Sequence, residues 1–338
     1  MNLSTTLAEY LAAINQELRD VADRFLPGPP DFDQMQRYHL GWIDETGAPI
    51  EAKSGKRVRP TILLLSTQIA GGDWRQALPA AAAVELLHNF SLIHDDIEDD
   101  SPLRRGRPTL WKIWGVPNAI NAGDAMFALA HLALWQLPER GVPALRVLEA
   151  ARLFEQMCLE LTRGQHLDMQ FERREHISTD EYLDMIAGKS AALIAASARI
   201  GAVVGGAAED EAARFADFGF NLGMAFQIRD DILGIWGDPA VTGKSAATDI
   251  ESRKKTLPVL YSLSRSSALV DIFVGEHRGS EELAAAVALL DAVGAREFSV
   301  QHERCYYEAA VDALESVGQG EAVSILLELA MNLFGRGA

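Results

Sequence analysis

The stretch Glu85-Leu86-Leu87-His88-Asn89-Phe90-Ser91-Leu92-Ile93-His94-Asp95-Asp96-Ile97-Glu98-Asp99-Asp100 decides how the chain is read. Apolar residues recur through it with helical period, and acids crowd its end. Asp95 and Asp99 stand four residues apart, so on a helix they share a face, with Asp96 beside them. Like charges at that spacing repel, and a cation lodged among them relieves the repulsion. Donors that are all carboxylate oxygens suit a hard ion such as Mg2+, which keeps waters and shares its coordination with phosphates. A solvated acidic helix end is the plainer reading of such a run. Two features weigh against it. The run closes an apolar helix instead of lining a polar face, and Arg104-Arg105-Gly106-Arg107 follows as a basic turn able to grip phosphate.

A second acidic group repeats the theme in Phe226-Gln227-Ile228-Arg229-Asp230-Asp231. Gln227 is three residues from Asp230 and four from Asp231, so an amide and carboxylates share a helix face. Alone it is ordinary. Two inward carboxylate clusters on separate helices could hold metal ions, with a diphosphate as the remaining ligand. Basic groups alternate with the acidic ones: Lys56, Arg57 and Arg59 in Gly55–Pro60, Arg104 and Arg105, Lys189 with Ser190 after Gly188, then Lys244 and Arg253-Lys254-Lys255. Singly each reads as surface. In alternation they suit a site for two diphosphates, one bridged by metal and one held by Lys and Arg. His88, seven residues before Asp95, is either a satisfied core histidine or a diphosphate donor.

The remainder of the 338 residues reads as helix, with Pro and Gly at the joints. Helices are expected over about 3–25, 57–71, 77–99, 118–137, 142–173, 179–203, 209–235, 256–265, 280–294, 297–315 and 319–335. Pro27-Gly28-Pro29-Pro30 reads as a break after the first. The expectation is one all-α domain over 1–338, a large helical bundle. A net charge of −17 argues against a nucleic-acid partner. Cys158 and Cys305 lack metal-site spacing and are expected to be reduced and mostly buried. The amino-terminal residues carry acids and no signal-peptide pattern, and the most apolar stretch, 191–206, is interrupted by Arg199. No transmembrane segment and a cytoplasmic location are expected.

The ordered set Gly55–Pro60, Glu85–Gly106, Gly188-Lys189-Ser190, Phe226–Asp231, Thr242-Gly243-Lys244 and Asp249–Pro258 resembles the trans-polyprenyl diphosphate synthase family, which includes farnesyl and geranylgeranyl diphosphate synthases. The resemblance implies an isoprenoid synthase-like bundle around a central cavity, a homodimer, and condensation of isopentenyl diphosphate with an allylic diphosphate. It implies that Asp95 and Asp99, supported by Asp96, and Asp230 bind Mg2+ bridged by the allylic diphosphate. Arg104, Lys189, Lys244 and Lys254 would hold that diphosphate. Lys56, Arg59, His88 and Arg105 would hold isopentenyl diphosphate, with Gln227 and Ser190 beside the developing cation. Two departures stand out: Gly234 where the family has a third Asp, and Ser190 where it has Thr.

Phe90, five residues before Asp95, is the position where the family sets chain length. An aromatic there followed by the small Ser91 implies a twenty-carbon product, with the fifteen-carbon farnesyl product as the alternative. A terpene cyclase on the same scaffold is the rival reading, and the second-diphosphate set Lys56, Arg59, His88 and Arg105 argues against it.

Overall fold

The computed structural model describes residues 3–26, 28–50, 52, 55–238, 248–274 and 279–334. It is an all-α structure. The helices are α1 (Leu3–Phe25), α2 (Pro30–His39), α3 (Val58–Ile69), α4 (Leu78–Glu98), α5 (Leu110–Trp114), α6 (Val116–Leu134), α7 (Ala144–Arg173), α8 (Thr179–Ile186) and α9 (Ala192–Gly205). They continue with α10 (Glu209–Trp236), α11 (Thr248–Glu251), α12 (Leu257–Leu263), α13 (Ser267–Val274), α14 (Ser280–Ala292), α15 (Ala295–Glu315) and α16 (Glu321–Phe334). One turn of π-helix, Ala187–Ala191, joins α8 to α9. A two-stranded hairpin, Leu103–Arg104 with Arg107–Pro108, follows α4.

The chain divides into two compact units, Met1–Leu153 with Ser197–Ala212, and Phe154–Ala196 with Ala213–Ala338. In the first unit α4 is the core helix. Its buried residues run almost unbroken from Leu78 to Leu87, as expected of a helix apolar on all sides. Ala80–Ala83 keep its girth small, and α3 and α6, rich in buried residues such as Ile62–Leu65, Ala122, Met126 and Ala130, pack upon it. A Cβ on Gly123 would lie 2.2 Å from His94 Nε2, so that glycine admits the histidine of α4 against the backbone of α6.

Among the described residues of the second unit, apolar side chains gather into two clusters. Phe171, Tyr182, Met185, Ile186, Ile228 and Leu257 belong to one. Ile235, Val259, Leu269 and Leu290 belong to the other. Cys158 is buried as expected, but Cys305 is exposed. The buried residues of α15 include Ala295, Ser299 and Glu303, and Cys305 lies off that face at helical period. The apolar stretch is longer than its sequence suggests. Thr179–Gly205 forms 27 residues of helix, long and apolar enough to cross a membrane, yet 61% of its most apolar window is buried inside the protein. Burial of that kind marks a core helix.

Candidate active site

α4 carries the first acidic run out of the core. Ile93 is buried, Asp95 half-buried and Asp99 exposed. Asp99 closes the helix by donating its N–H to the Asp95 carbonyl at 2.9 Å, and Asp100 turns the chain away in the left-handed conformation (φ 50°). Asp96 is turned inward. It is 3% exposed and accepts from Arg104 Nε at 2.7 Å. Burial pushes its carboxyl up to about 6 against the pull of Arg104. The pair Asp95 and Asp99 therefore stands at the open end of the helix, while Asp96 anchors the basic turn.

That turn is the two-residue loop of the hairpin. Arg105 (φ 53°) and Gly106 (φ 78°) both take the left-handed conformation that a tight type I′ connection needs. Arg107 is held over the Tyr38 ring at 3.9 Å and donates to the Tyr38 and Ile43 carbonyls at 3.0 and 2.7 Å. Beside the turn lies a small open recess whose lining includes His39, Asp96, Arg104, Arg105 and Arg107.

The start of α3 adds the other cations. Arg57 is buried in the left-handed conformation (φ 50°) and pairs with the Glu85 carboxylate of α4. Asn89 steadies that carboxylate, donating to Glu85 Oε1 at 3.0 Å. Arg59 Nη1 lies 3.3 Å from His88 Nε2. A Cβ on Gly55 would come 2.9 Å from Arg105 Nη2, so the bare glycine leaves room for that guanidinium. Burial, then Arg59, Arg105, Arg104 and Arg57, push the His88 imidazole well below its ordinary pKa. His88 is therefore neutral at pH 7, with the Arg59 guanidinium against its ring. An excess of positive potential at a partly enclosed spot is what an anion site requires. Lys56 is exposed beside this group.

In the second unit the π turn is gripped from α7. A Cβ on Gly164 would lie 2.1 Å from Lys189 N, and one on Gly188 would lie 2.7 Å from Glu160 O, so two glycines let the backbones touch. Lys189 pairs with Asp168 of α7. Ser190 Oγ donates to Gln227 Oε1 at 2.6 Å, and Gln227 Nε2 donates to Asp231 Oδ1 at 3.2 Å. Asp231, 3% exposed, also accepts from the Tyr182 hydroxyl and from Leu257 N–H at 3.4 Å. Burial pushes its carboxyl up to about 7 despite these donors. Asp230 is exposed. One turn on, the carboxylate of Asp249 occupies the place of a residue-234 side chain, for a Cβ on Gly234 would lie 2.1 Å from Asp249 Oδ2.

The structure thus brings together Arg59, His88 and Arg105, and joins Ser190 directly to Gln227. Asp96, expected beside Asp95 and Asp99, is committed to Arg104. Lys254 is exposed, with its N–H on the Asp249 carbonyl at 2.8 Å. Lys244 lies outside the described residues. Glu85, Tyr182 and Asp249 were not singled out from sequence, and Arg57 and Asp231 stood there only as members of their clusters, with no role of their own. The donor set on α4, Asp95 and Asp99, is all oxygen, as is the carboxylate of Asp230 in the second unit. Both fit a hard divalent cation.

Phe90 stands one turn from His94 on α4. Its ring centroid is 4.7 Å from that imidazole and 5.0 Å from Phe127 of α6. Phe127 in turn lies 4.4 Å from the His131 ring.

The all-α scaffold carries paired aspartates and clustered arginines, and the chain belongs to the polyprenyl synthetase family, whose model matches residues 41–290. It is a trans-prenyl diphosphate synthase, a prenyltransferase. It is 40% identical over 313 residues to the (2E,6E)-farnesyl diphosphate synthase of Mycobacterium tuberculosis, covering 90% of this chain and 85% of that one. The crystal structure of a polyprenyl synthetase from Streptomyces coelicolor A3(2) matches with a TM-score of 0.90 at 37% identity, covering 98% of this chain and 99% of that one. A geranylgeranyl pyrophosphate synthase from Corynebacterium glutamicum, complexed with isoprenyl diphosphate and magnesium, matches at 0.83 and 28% identity, covering 99% and 100%.

Proposed function

We propose that this synthase is Mg2+-dependent and extends allylic diphosphates with isopentenyl diphosphate to the twenty-carbon geranylgeranyl product. The observation that carries the reading is the placing of Arg59 3.3 Å from His88 on α4, two helix turns before Asp95, with the Arg104–Arg105 turn following the Asp95–Asp99 pair. Asp95, Asp99 and Asp230 are the metal ligands of this proposal, and Mg2+, when bound, neutralises the departing diphosphate. The magnesium-bound relative from Corynebacterium glutamicum supports that assignment.

The residues divide the remaining work. Arg104, Lys189, Lys244 and Lys254 hold the allylic diphosphate, so the allylic C–O bond breaks toward cationic partners. Lys56, Arg59, His88 and Arg105 hold isopentenyl diphosphate. Its double bond supplies the electron pair of the new C–C bond, and a proton then leaves to the released diphosphate. Ser190 and Gln227 flank the developing cation. An apolar surround keeps water from that cation. Phe90, braced by Phe127 and His94, closes the pocket for the growing tail. Both compact units serve one catalytic domain in this reading.

The fifteen-carbon farnesyl product is the second reading, favoured by the Mycobacterium tuberculosis relative. The protein acts in the cytoplasm as a homodimer. Unburied apolar side chains on α6 and α7 support pairing: Val116, Ile120, Leu145 and Leu148 are 41, 41, 81 and 59% exposed. The test is to incubate the protein with isopentenyl diphosphate and dimethylallyl, geranyl or farnesyl diphosphate, with and without Mg2+, and to weigh the products. Linear twenty-carbon product only with Mg2+ is expected. A longest product of fifteen carbons selects the second reading, and cyclic hydrocarbon from one allylic substrate alone overturns both.

A further inference from the structure

We propose that Tyr182 and Asp231 are positioning residues that fix the direction of a hydrogen-bond relay running through Gln227 to Ser190. The inference rests on the reading that Gln227 and Ser190 flank the allylic cation.

The direction follows from donor and acceptor chemistry. A glutamine amide has a donor end and an acceptor end, and at ordinary precision only its neighbours say which is which. In the ionised carboxylate, Asp231 Oδ1, 3.2 Å from the Gln227 amide, is an acceptor and therefore faces Nε2. Gln227 Oε1 must then point the other way, where Ser190 Oγ stands at 2.6 Å. Ser190 has one hydroxyl hydrogen, and that hydrogen is spent on Oε1. What the pair keeps for a neighbour is lone pairs, on Ser190 Oγ and on the unused side of Gln227 Oε1. Both residues are half-buried, so both still reach an open surface.

Asp231 can hold this direction because it cannot turn. Its side chain is buried, and the Tyr182 hydroxyl and the Leu257 N–H grip Oδ2 from the middle of α8 and the start of α12. The aspartate next to an exposed one, on the same helix, therefore does a different task. Asp230 faces solvent and suits a metal, whereas Asp231 aligns an amide dipole. Negative ends of fixed dipoles aimed at a forming positive charge lower its energy without reorganisation during the reaction. A flipped amide would present N–H groups there and oppose ionisation.

The test is a double-mutant cycle with Asp231→Asn and Gln227→Ala. Asparagine keeps the shape of aspartate but brings its own donor, so the relay loses its fixed direction. Asp231→Asn alone is expected to lower kcat about ten- to a hundredfold, the usual effect of removing a supporting partner, with KM for both diphosphates little changed. In the Gln227→Ala background the same change is expected to cost less than about twofold, because its only route of action is gone. The Mg2+ concentration needed for diphosphate-dependent thermal protection should stay at the wild-type value in Asp231→Asn and rise in Asp230→Asn. Tyr182→Phe, which removes one hydroxyl, runs the same cycle if Asp231→Asn does not fold. Independent, multiplying losses in the double variant overturn the inference. So does a raised Mg2+ requirement in Asp231→Asn, which would make Asp231 a metal ligand. An unchanged kcat in Gln227→Ala overturns both the inference and the role given to Gln227, leaving the prenyltransferase class intact.

Discussion

The Asp249 carboxylate sits on the α-carbon of Gly234: Oδ2 would be 2.1 Å from any Cβ built there. An alanine at 234 must therefore displace a short, stiff side chain, and overpacking of that kind costs about 1–3 kcal/mol. Against it stands the roughly 1 kcal/mol by which alanine exceeds glycine inside a helix. Gly234→Ala is thus expected to lower the melting temperature in the presence of Asp249. In an Asp249→Ala background the clash is gone and the same substitution is expected to raise it. Thermal denaturation of the four proteins checks the change of sign.

Arg57 and Glu85 form a buried ion pair that ties the start of α3 to α4. Removing either partner leaves a charge without its counter-ion, a loss of about 3–5 kcal/mol. Arg57→Met and Glu85→Gln should each destabilise by that order in urea unfolding. The double variant should lose less than the sum, because no orphaned charge remains.

Phe90→Ala should lengthen the product, and Phe127→Ala should do so to a smaller degree, since Phe127 braces Phe90 from α6. Product masses from geranyl or farnesyl diphosphate check both. An unchanged product distribution in Phe90→Ala removes that residue as the floor of the tail pocket.

His39 lies in the recess of the basic turn, and its imidazole is pushed down to about 3, first by burial and then by Arg104, Arg105, Arg107 and Arg57. A base depressed in the folded state binds its proton more readily when unfolded. From pH 6.5 down to about 3 the unfolded chain gains a proton that the folded chain refuses, so stability falls with pH in that window. One such proton changes stability by at most about 1.4 kcal/mol per pH unit, less for a ring that water partly screens. His39→Gln should flatten the loss of stability between pH 6 and 4, as read from urea midpoints.

Much of this architecture was legible in the residues. α1 spans 3–25 as periodicity predicts, and α4, α7 and α10 end within a few residues of their expected limits. α2 was hidden because prolines around residue 30 read as a break, whereas Pro30 is the first residue of a helix, a place that suits its missing N–H. The hairpin was hidden because strands of two residues show no alternation. Arg57 was hidden between two other cations, and only packing reveals that it points inward to Glu85. Asp249 was out of reach for a different reason. Nothing in sequence ties residue 249 to residue 234, and the glycine reads as a loss until the fold returns a carboxylate to its place.

The π turn at Ala187–Ala191 is, in effect, one residue more than an α-helix needs. Deleting a residue there would let α8 run into α9 as an uninterrupted α-helix, which costs the backbone nothing. It would also swing one helix about 100° around the common axis relative to the other. Lys189 could not then keep Asp168 while Ser190 kept Gln227 and the buried face of α9 stayed inward. The surplus residue is a phase shift that lets a core helix and the corner holding Lys189 and Ser190 share one continuous rod. A shortened variant should lose turnover and melt at a lower temperature, because the same rotation takes α9's buried residues out of the core.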